Sequence, residues 1–192
     1  MRRREALAGI ASAGVVVGGG AAAVYGVPSM ESLLGDDSDD DSQREPLEIE
    51  TIDAPGSEAG TITIPDPDQA TFIDLFGTWC PPCVDQMPGL AEANERIGDE
   101  VVFCSITNES VGENGAISED ELAGWWAEHD GDWLVGHDPT AEITARYLEG
   151  SFPTAVAMDA SGTVQWADSG VKTADELVEG IETALEADDG SE

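Results

Sequence analysis

Two cysteines separated by two prolines, directly after a strand-like run, constrain this chain more than any other feature. The run Thr71-Phe72-Ile73-Asp74-Leu75-Phe76 is dense in apolar side chains and reads as a strand in the interior of a sheet. Trp79-Cys80-Pro81-Pro82-Cys83 follows and opens a stretch with helical character. An i, i+3 pair on a helical turn lies about 5 to 6 Å apart, within reach of a disulfide. A bond between Cys80 and Cys83 can therefore open and close without remodelling the backbone.

The 192 residues are 41% hydrophobic, enough for one ordinary domain with extensions and too apolar for a chain disordered throughout. The formal net charge is −34, and after residue 45 the only cations are Arg96, Arg146 and Lys172. With no basic surface to neutralise phosphates, nucleic acid is excluded as a partner. A surface this acidic repels itself in dilute buffer and is tolerated where molar salt shortens the Debye length to about 3 Å. The scarcity of lysine resembles the composition of proteins from halophilic archaea. The acids are spread along the chain, which argues against a single acidic docking face.

Residues 1–30 read as an export signal or membrane anchor. Arg2, Arg3 and Arg4 precede an uncharged stretch rich in Ala, Val and Gly that is long enough to cross a bilayer. The orientation implied places the tip inside and the remainder outside, on the extracytoplasmic face of the membrane. Arg3-Arg4-Glu5-Ala6-Leu7 resembles a twin-arginine signal, although Ala6 stands where a bulky apolar residue is usual. Ala21-Ala22-Ala23 suits cleavage or a retained anchor, with retention preferred; no cysteine follows to carry a lipid. Residues 31–46 form an acidic linker whose run from Gly35 to Pro46 has no apolar side chain to bury and reads as a self-repelling tether, and the folded domain spans about 47–187, followed by an acidic tail at 188–192.

Within the domain, strands are expected at 47–52, 61–64, 71–76, 101–106 and 133–136, and a hairpin at 154–158 and 163–167. The helix after Cys80 should reach about residue 97 with Pro88 inside it. Capping boxes at Ser118 to Glu121 and Thr173 to Glu176 start two further helices. Asp138-Pro139 marks another start, an N-cap followed by proline, for a helix to about residue 148. Alternating elements of this kind indicate an α/β sandwich.

Phe72 to Cys83 resembles the active-site strand and helix of thioredoxin-fold proteins, and Phe152-Pro153-Thr154 resembles their cis-proline loop. The likeness is greatest to the TlpA/ResA-like thioredoxins, marked by a leading hairpin, Gly77-Thr78-Trp79, Met87-Pro88 and an extra helix and strand between residues 118 and 136. The resemblance implies a three-layer sandwich with a mixed central sheet, an N-terminal hairpin extension and an inserted helix-strand unit. It also implies thiol-disulfide exchange with cysteine-containing extracytoplasmic proteins, with apocytochrome before haem attachment as one candidate partner, an upstream electron donor and no cofactor.

Cys80 stands where a helix begins, so unpaired N–H groups favour its thiolate and make it the expected nucleophile. Cys83 is then the resolving thiol. Pro81 and Pro82 remove two N–H groups that would otherwise solvate the Cys80 sulfur, which favours the disulfide form and a reductant. Asp74, six positions before Cys80, matches the buried carboxylate of thioredoxins and is expected to take the proton of Cys83. Pro153 is expected to be cis and to present a backbone edge to the partner, with Trp79, Phe152 and Thr154 completing the contact rim.

Cys104, in the apolar run Val101-Val102-Phe103-Cys104, reads as a small buried hydrophobe. Trp125, Trp126, Trp133 and Trp166 read as core or half-buried surface, and His129 and His137 as solvent-facing. Two other functions are weighed. A copper or zinc module would join Cys80 and Cys83 to His129 or His137; the two prolines and the Phe152-Pro153-Thr154 loop argue against it. A thioredoxin-fold peroxidase lacks a convincing Pro-x-x-x-Thr-x-x-Cys motif and an arginine near Cys80. From the charge alone, the melting temperature should drop sharply between molar and millimolar salt, and an unchanged value would remove the high-salt interpretation.

Overall fold

A computed structural model of the chain describes residues 45–148 and 150–189. The expected signal or anchor (1–30), nearly all of the acidic linker (31–46) and most of the acidic tail (188–192) lie outside the described residues. In chain order the elements are β1 (Leu47–Thr51), β2 (Gly60–Ile64), β3 (Thr71–Phe76), α1 (Pro81–Ile97), β4 (Val102–Thr107), α2 (Glu119–Glu128), β5 (Leu134–His137), α3 (Glu142–Tyr147), β6 (Thr154–Met158), β7 (Val164–Ser169) and α4 (Ala174–Asp189). A 3-10 turn, Gly98–Glu100, follows α1.

The strands make one sheet in the order β2-β1-β5-β4-β3-β6-β7. β3, β4 and β5 run parallel, and the other neighbours are antiparallel. Each parallel step needs a crossover, which α1 and α2 supply. Both steps move the same way across the sheet, so crossovers of one hand place both helices on one face. α4 packs with them, and α3 covers the opposite face. The expected thioredoxin-like three-layer sandwich with a mixed central sheet is the observed architecture.

Strand β3 explains the position of the core. All six of its residues are buried. Because side chains alternate along a strand, Phe72 and Phe76 enter the cluster under α1, while Ile73 and Leu75 enter the one under α3. Trp126 of α2, fully buried, fills the first cluster with Phe103 and Trp133 and donates its indole N–H to the Pro55 carbonyl at 3.1 Å. The β1–β2 hairpin docks on β5 through Glu50 opposite His137 and Thr51 opposite Gly136. A Cβ at Gly136 would lie 2.9 Å from the Glu50 carbonyl oxygen, so only glycine admits the strand that closely.

Both capping boxes form: the Ser118 hydroxyl accepts from Glu121 N–H, Thr173 does the same for Glu176, and each glutamate reaches back to the cap N–H. Two expectations are corrected. α3 begins at Glu142 and not beside Asp138, because the chain first makes a turn ending at Ala141 with φ 57°. The Asp138 carboxylate still accepts from the Glu142 and Thr144 N–H groups at 3.0 and 2.9 Å, so it caps the helix from a distance. The histidines do not face solvent. His137 is 8% exposed because β1 covers its strand on one side and β4 on the other, and half-buried His129 stacks on Trp125 with ring centroids 4.4 Å apart.

Removing the largest buried side chain should show how far the sandwich depends on that first cluster. Trp126→Ala is expected to lose about 3–5 kcal/mol of stability. Urea unfolding at fixed high salt measures the loss.

Candidate redox site

The register of two strand pairs assembles the site. β3 lies antiparallel to β6 with Leu75 opposite Thr154, so the end of β3 emerges beside the start of β6. The turn carrying Trp79 and Cys80 therefore meets the loop carrying Phe152 and Pro153, and the Trp79 and Phe152 rings contact edge to face at 5.7 Å. The Phe152–Pro153 peptide is cis, as is Ile64–Pro65. Trp79 is 61% exposed and bends back over Gly77, where a Cβ would lie 2.7 Å from the indole. An apolar ring thus stands in solvent beside the cysteines.

Cys80 and Cys83 are joined in a disulfide with Cα atoms 5.3 Å apart, and both are buried. Cys80 is the N-cap of α1, with Pro81 and Pro82 occupying the first two positions. Its own N–H donates to the Gly77 carbonyl, and its carbonyl accepts from the Cys83 N–H at 3.0 Å and the Val84 N–H at 3.4 Å. The first turn of α1 therefore points few free N–H groups toward the Cys80 sulfur.

Asp74 shares the α1 face of β3 with Phe72 and Phe76 and is 1% exposed. Desolvation pushes its carboxyl up to about 7, and a hydrogen bond from Ser105 pulls weakly the other way. Cys104, one residue along β4, faces the α3 side with Ile73 and Ile106. Burial, and after it the Asp74 charge, push its thiol well up from the ordinary value, so it behaves as the inert hydrophobe expected.

Several neighbours of the site carry no local signal in the sequence. Glu109 fastens the loop before the cysteines: its carboxylate accepts from the Thr78 N–H at 2.8 Å, the Thr78 hydroxyl at 3.0 Å and the Thr107 hydroxyl at 3.1 Å. Buried Gln86, one turn after Cys83, accepts the Lys172 N–H at 2.6 Å. The Gly170 N–H donates to the Pro153 carbonyl at 2.8 Å, so the turn after β7 braces both α1 and the proline loop. Their roles arise from register between distant strands, which no short motif records. Among the described residues no group of three or more His, Cys, Asp and Glu side chains is arranged to hold a metal.

A parallel β-α-β unit whose helix opens on a cysteine pair, faced by a proline loop, defines a thioredoxin-fold redox protein. The chain belongs to the Redoxin family, whose pattern matches residues 61–185, and it is a thioredoxin-like oxidoreductase. No curated protein matches it in sequence. Among solved structures it is similar to StoA from Bacillus subtilis, at 20% identity over 71% of this chain and 96% of that one, with a TM-score of 0.58. The exposed lipoprotein thioredoxin Etrx1 from Streptococcus pneumoniae gives 21% identity over 72% and 98%, with a TM-score of 0.58. A secreted Mycobacterium tuberculosis disulfide oxidoreductase homologous to E. coli DsbE gives 16% identity over 74% and 98%, with a TM-score of 0.53. At these identities the likeness establishes the fold.

A buried carboxyl raised from 3.8 to about 7 stabilises the folded state fully only below its unfolded value, and that contribution is lost as pH rises through about 7. Compared with Asp74→Asn, the native chain should lose on the order of 4 kcal/mol between about pH 4 and pH 8. Urea unfolding across that range at constant salt reads the difference; parallel profiles for the two proteins would mean an ordinary, water-facing carboxylate.

Proposed function

We propose that this chain is an exported thiol-disulfide oxidoreductase that acts on cysteines of extracytoplasmic proteins, more as reductant than oxidant. The observation that carries the reading is the closed Cys80–Cys83 pair at the first turn of α1, set between the exposed Trp79 ring and the Phe152–Pro153 loop. In the reducing direction the Cys80 thiolate attacks a partner disulfide, forming a Cys80–partner bond and releasing one partner thiolate. The Cys83 sulfur then attacks Cys80, closing the internal disulfide and releasing the second partner thiolate. Two electrons pass to the partner, and Asp74 takes the proton of Cys83. An upstream dithiol donor must reopen the pair.

The contact rim is Trp79 with the Phe152–Pro153 loop; Thr154, expected there from the sequence, is fully buried, and its hydroxyl donates to the Ser151 carbonyl at 2.8 Å, so it braces the loop from beneath. The Pro153 carbonyl is already occupied by Gly170, whereas among the described residues Phe152 makes no backbone hydrogen bond, so its N–H and carbonyl are the edge offered to an extended partner segment. Preference for the reducing direction is supported by the two prolines at the head of α1, which leave the Cys80 thiolate with less stabilisation. Export is supported by the arginine-led N-terminal sequence and by the extracytoplasmic character of the similar exposed lipoprotein and secreted oxidoreductase. Apocytochrome is one substrate of this chemistry, since haem attachment needs free thiols. The acidic composition suits a salt-rich environment.

The test is covalent trapping in the native host. Cys83→Ser leaves Cys80 with no resolving thiol, so partner proteins should accumulate as mixed disulfides that disappear on reduction. Cys80→Ser should trap none. Equal recovery from both variants would overturn the reading.

A further inference from the structure

The two oxygens of Asp74 are unlike. Oδ2 accepts a hydrogen bond from the Ser105 hydroxyl at 3.4 Å, while Oδ1 is fully buried and has no partner among the described residues. Ser105 lies directly opposite Asp74 in the parallel β3–β4 register. Its hydroxyl oxygen in turn accepts the Trp133 indole N–H at 2.9 Å. An indole nitrogen only donates, so it occupies a lone pair of the hydroxyl and leaves the hydroxyl hydrogen to point at the carboxyl. The Trp133 ring is itself held on edge against Trp126 at 4.7 Å and Phe103 at 5.7 Å.

We propose that Ser105 and Trp133 are positioning residues for Asp74: the indole turns the hydroxyl onto Oδ2 and so reserves Oδ1 for the proton of the resolving thiol. The assignment rests on Asp74 being the proton acceptor in the reaction described above. In that step the Cys83 S–H bond breaks, its electron pair stays on sulfur for attack on Cys80, and an O–H bond forms at Oδ1. The reverse reaction returns the proton to Cys83. Trp133 stands immediately before β5, so the α2–β5 segment supplies a hydrogen bond to the redox centre as well as packing.

Few other groups bear on this carboxyl. Among the described residues the titratable side chain that feels the Asp74 charge is the Cys104 thiol on the far face of β4, and the cysteine pair at the head of α1 belongs to the cluster on the same side of the sheet as Asp74. β6 presents Ala155 opposite Asp74. Arg96 pairs with Asp175 and Lys172 with Asp168, and Arg146 donates to the Glu45 carbonyl, so each cation of the domain is engaged elsewhere.

Carboxyl carbon NMR of the oxidised full chain tests the assignment without any partner. Ser105→Ala should raise the Asp74 titration midpoint by about one pH unit, because a donor to the charged form is lost. Trp133→Phe should move it the same way by less, and Ser105→Thr should restore it. Ser105→Ala leaves the indole without an acceptor, so the double variant Ser105→Ala/Trp133→Phe removes both polar partners and should keep the full shift in a folded protein. The pH profile of partner release from Cys80 should follow the same midpoint, with its high-pH plateau unchanged. An unmoved midpoint in the single and double variants overturns the positioning role. A moved midpoint with an unmoved release profile also overturns it, by taking Asp74 out of the proton path, while mixed-disulfide trapping still reports whether exchange itself occurs.

Discussion

The pairing of β3 on both its edges is the constraint on which the rest of the molecule depends. On one side the parallel ladder with β4 sets Ser105 against Asp74; on the other the antiparallel ladder with β6 sets Thr154 against Leu75. The first pairing builds the surroundings of the buried Asp74 carboxyl, and the second brings the proline loop to the cysteines. A one-residue slip in either register would turn every side chain of the strand to the opposite face. Burial on both faces makes such a slip costly, since Phe72, Ile73, Leu75 and Phe76 would all exchange layers.

Charge is handled differently inside and outside this sandwich. The three cations of the domain sit at its periphery, where Arg96 ties α1 to α4 and Lys172 closes the turn after β7 on the Ser169 and Gly170 carbonyls. The exposed Arg96 pair contributes little stability, and its value is in holding the two helices in place, whereas the Lys172 side chain is only 10% exposed. Among the described residues the interior carboxyl of Asp74 has no cation beside it, only a hydroxyl. Its charge therefore stays expensive, which keeps a proton within easy reach of neutral pH.

Much of this arrangement was legible in the sequence because its signals are local. Cys80, Cys83 and the proline loop are contiguous motifs, both capping boxes sit within four residues, and Asp74 stood out as one acid in an apolar strand. The Asp138-Pro139 signal misplaces the helix start, because a left-handed turn at Ala141 intervenes and the Asp138 carboxylate reaches the first helical N–H groups only across it. His137 reads as solvent-facing in the sequence because nothing local says that a hairpin from earlier in the chain will cover β5. Ser105, Trp133, Glu109 and Gln86 were equally silent, since each matters only through a residue far away in sequence.

Cys104 shows what the sheet accomplishes beyond support. In the unfolded chain three thiols compete, and two of the three possible pairings would tie the reactive pair to the wrong partner. Once β3 and β4 have zipped together, the third sulfur is walled off behind a layer of hydrogen-bonded backbone, opposite Ile73 and turned from the other two. Fidelity of oxidation is thereby assigned to architecture: the central ladder acts as an insulating partition, and a chain that closes it before meeting an oxidant has only one bridge left to make.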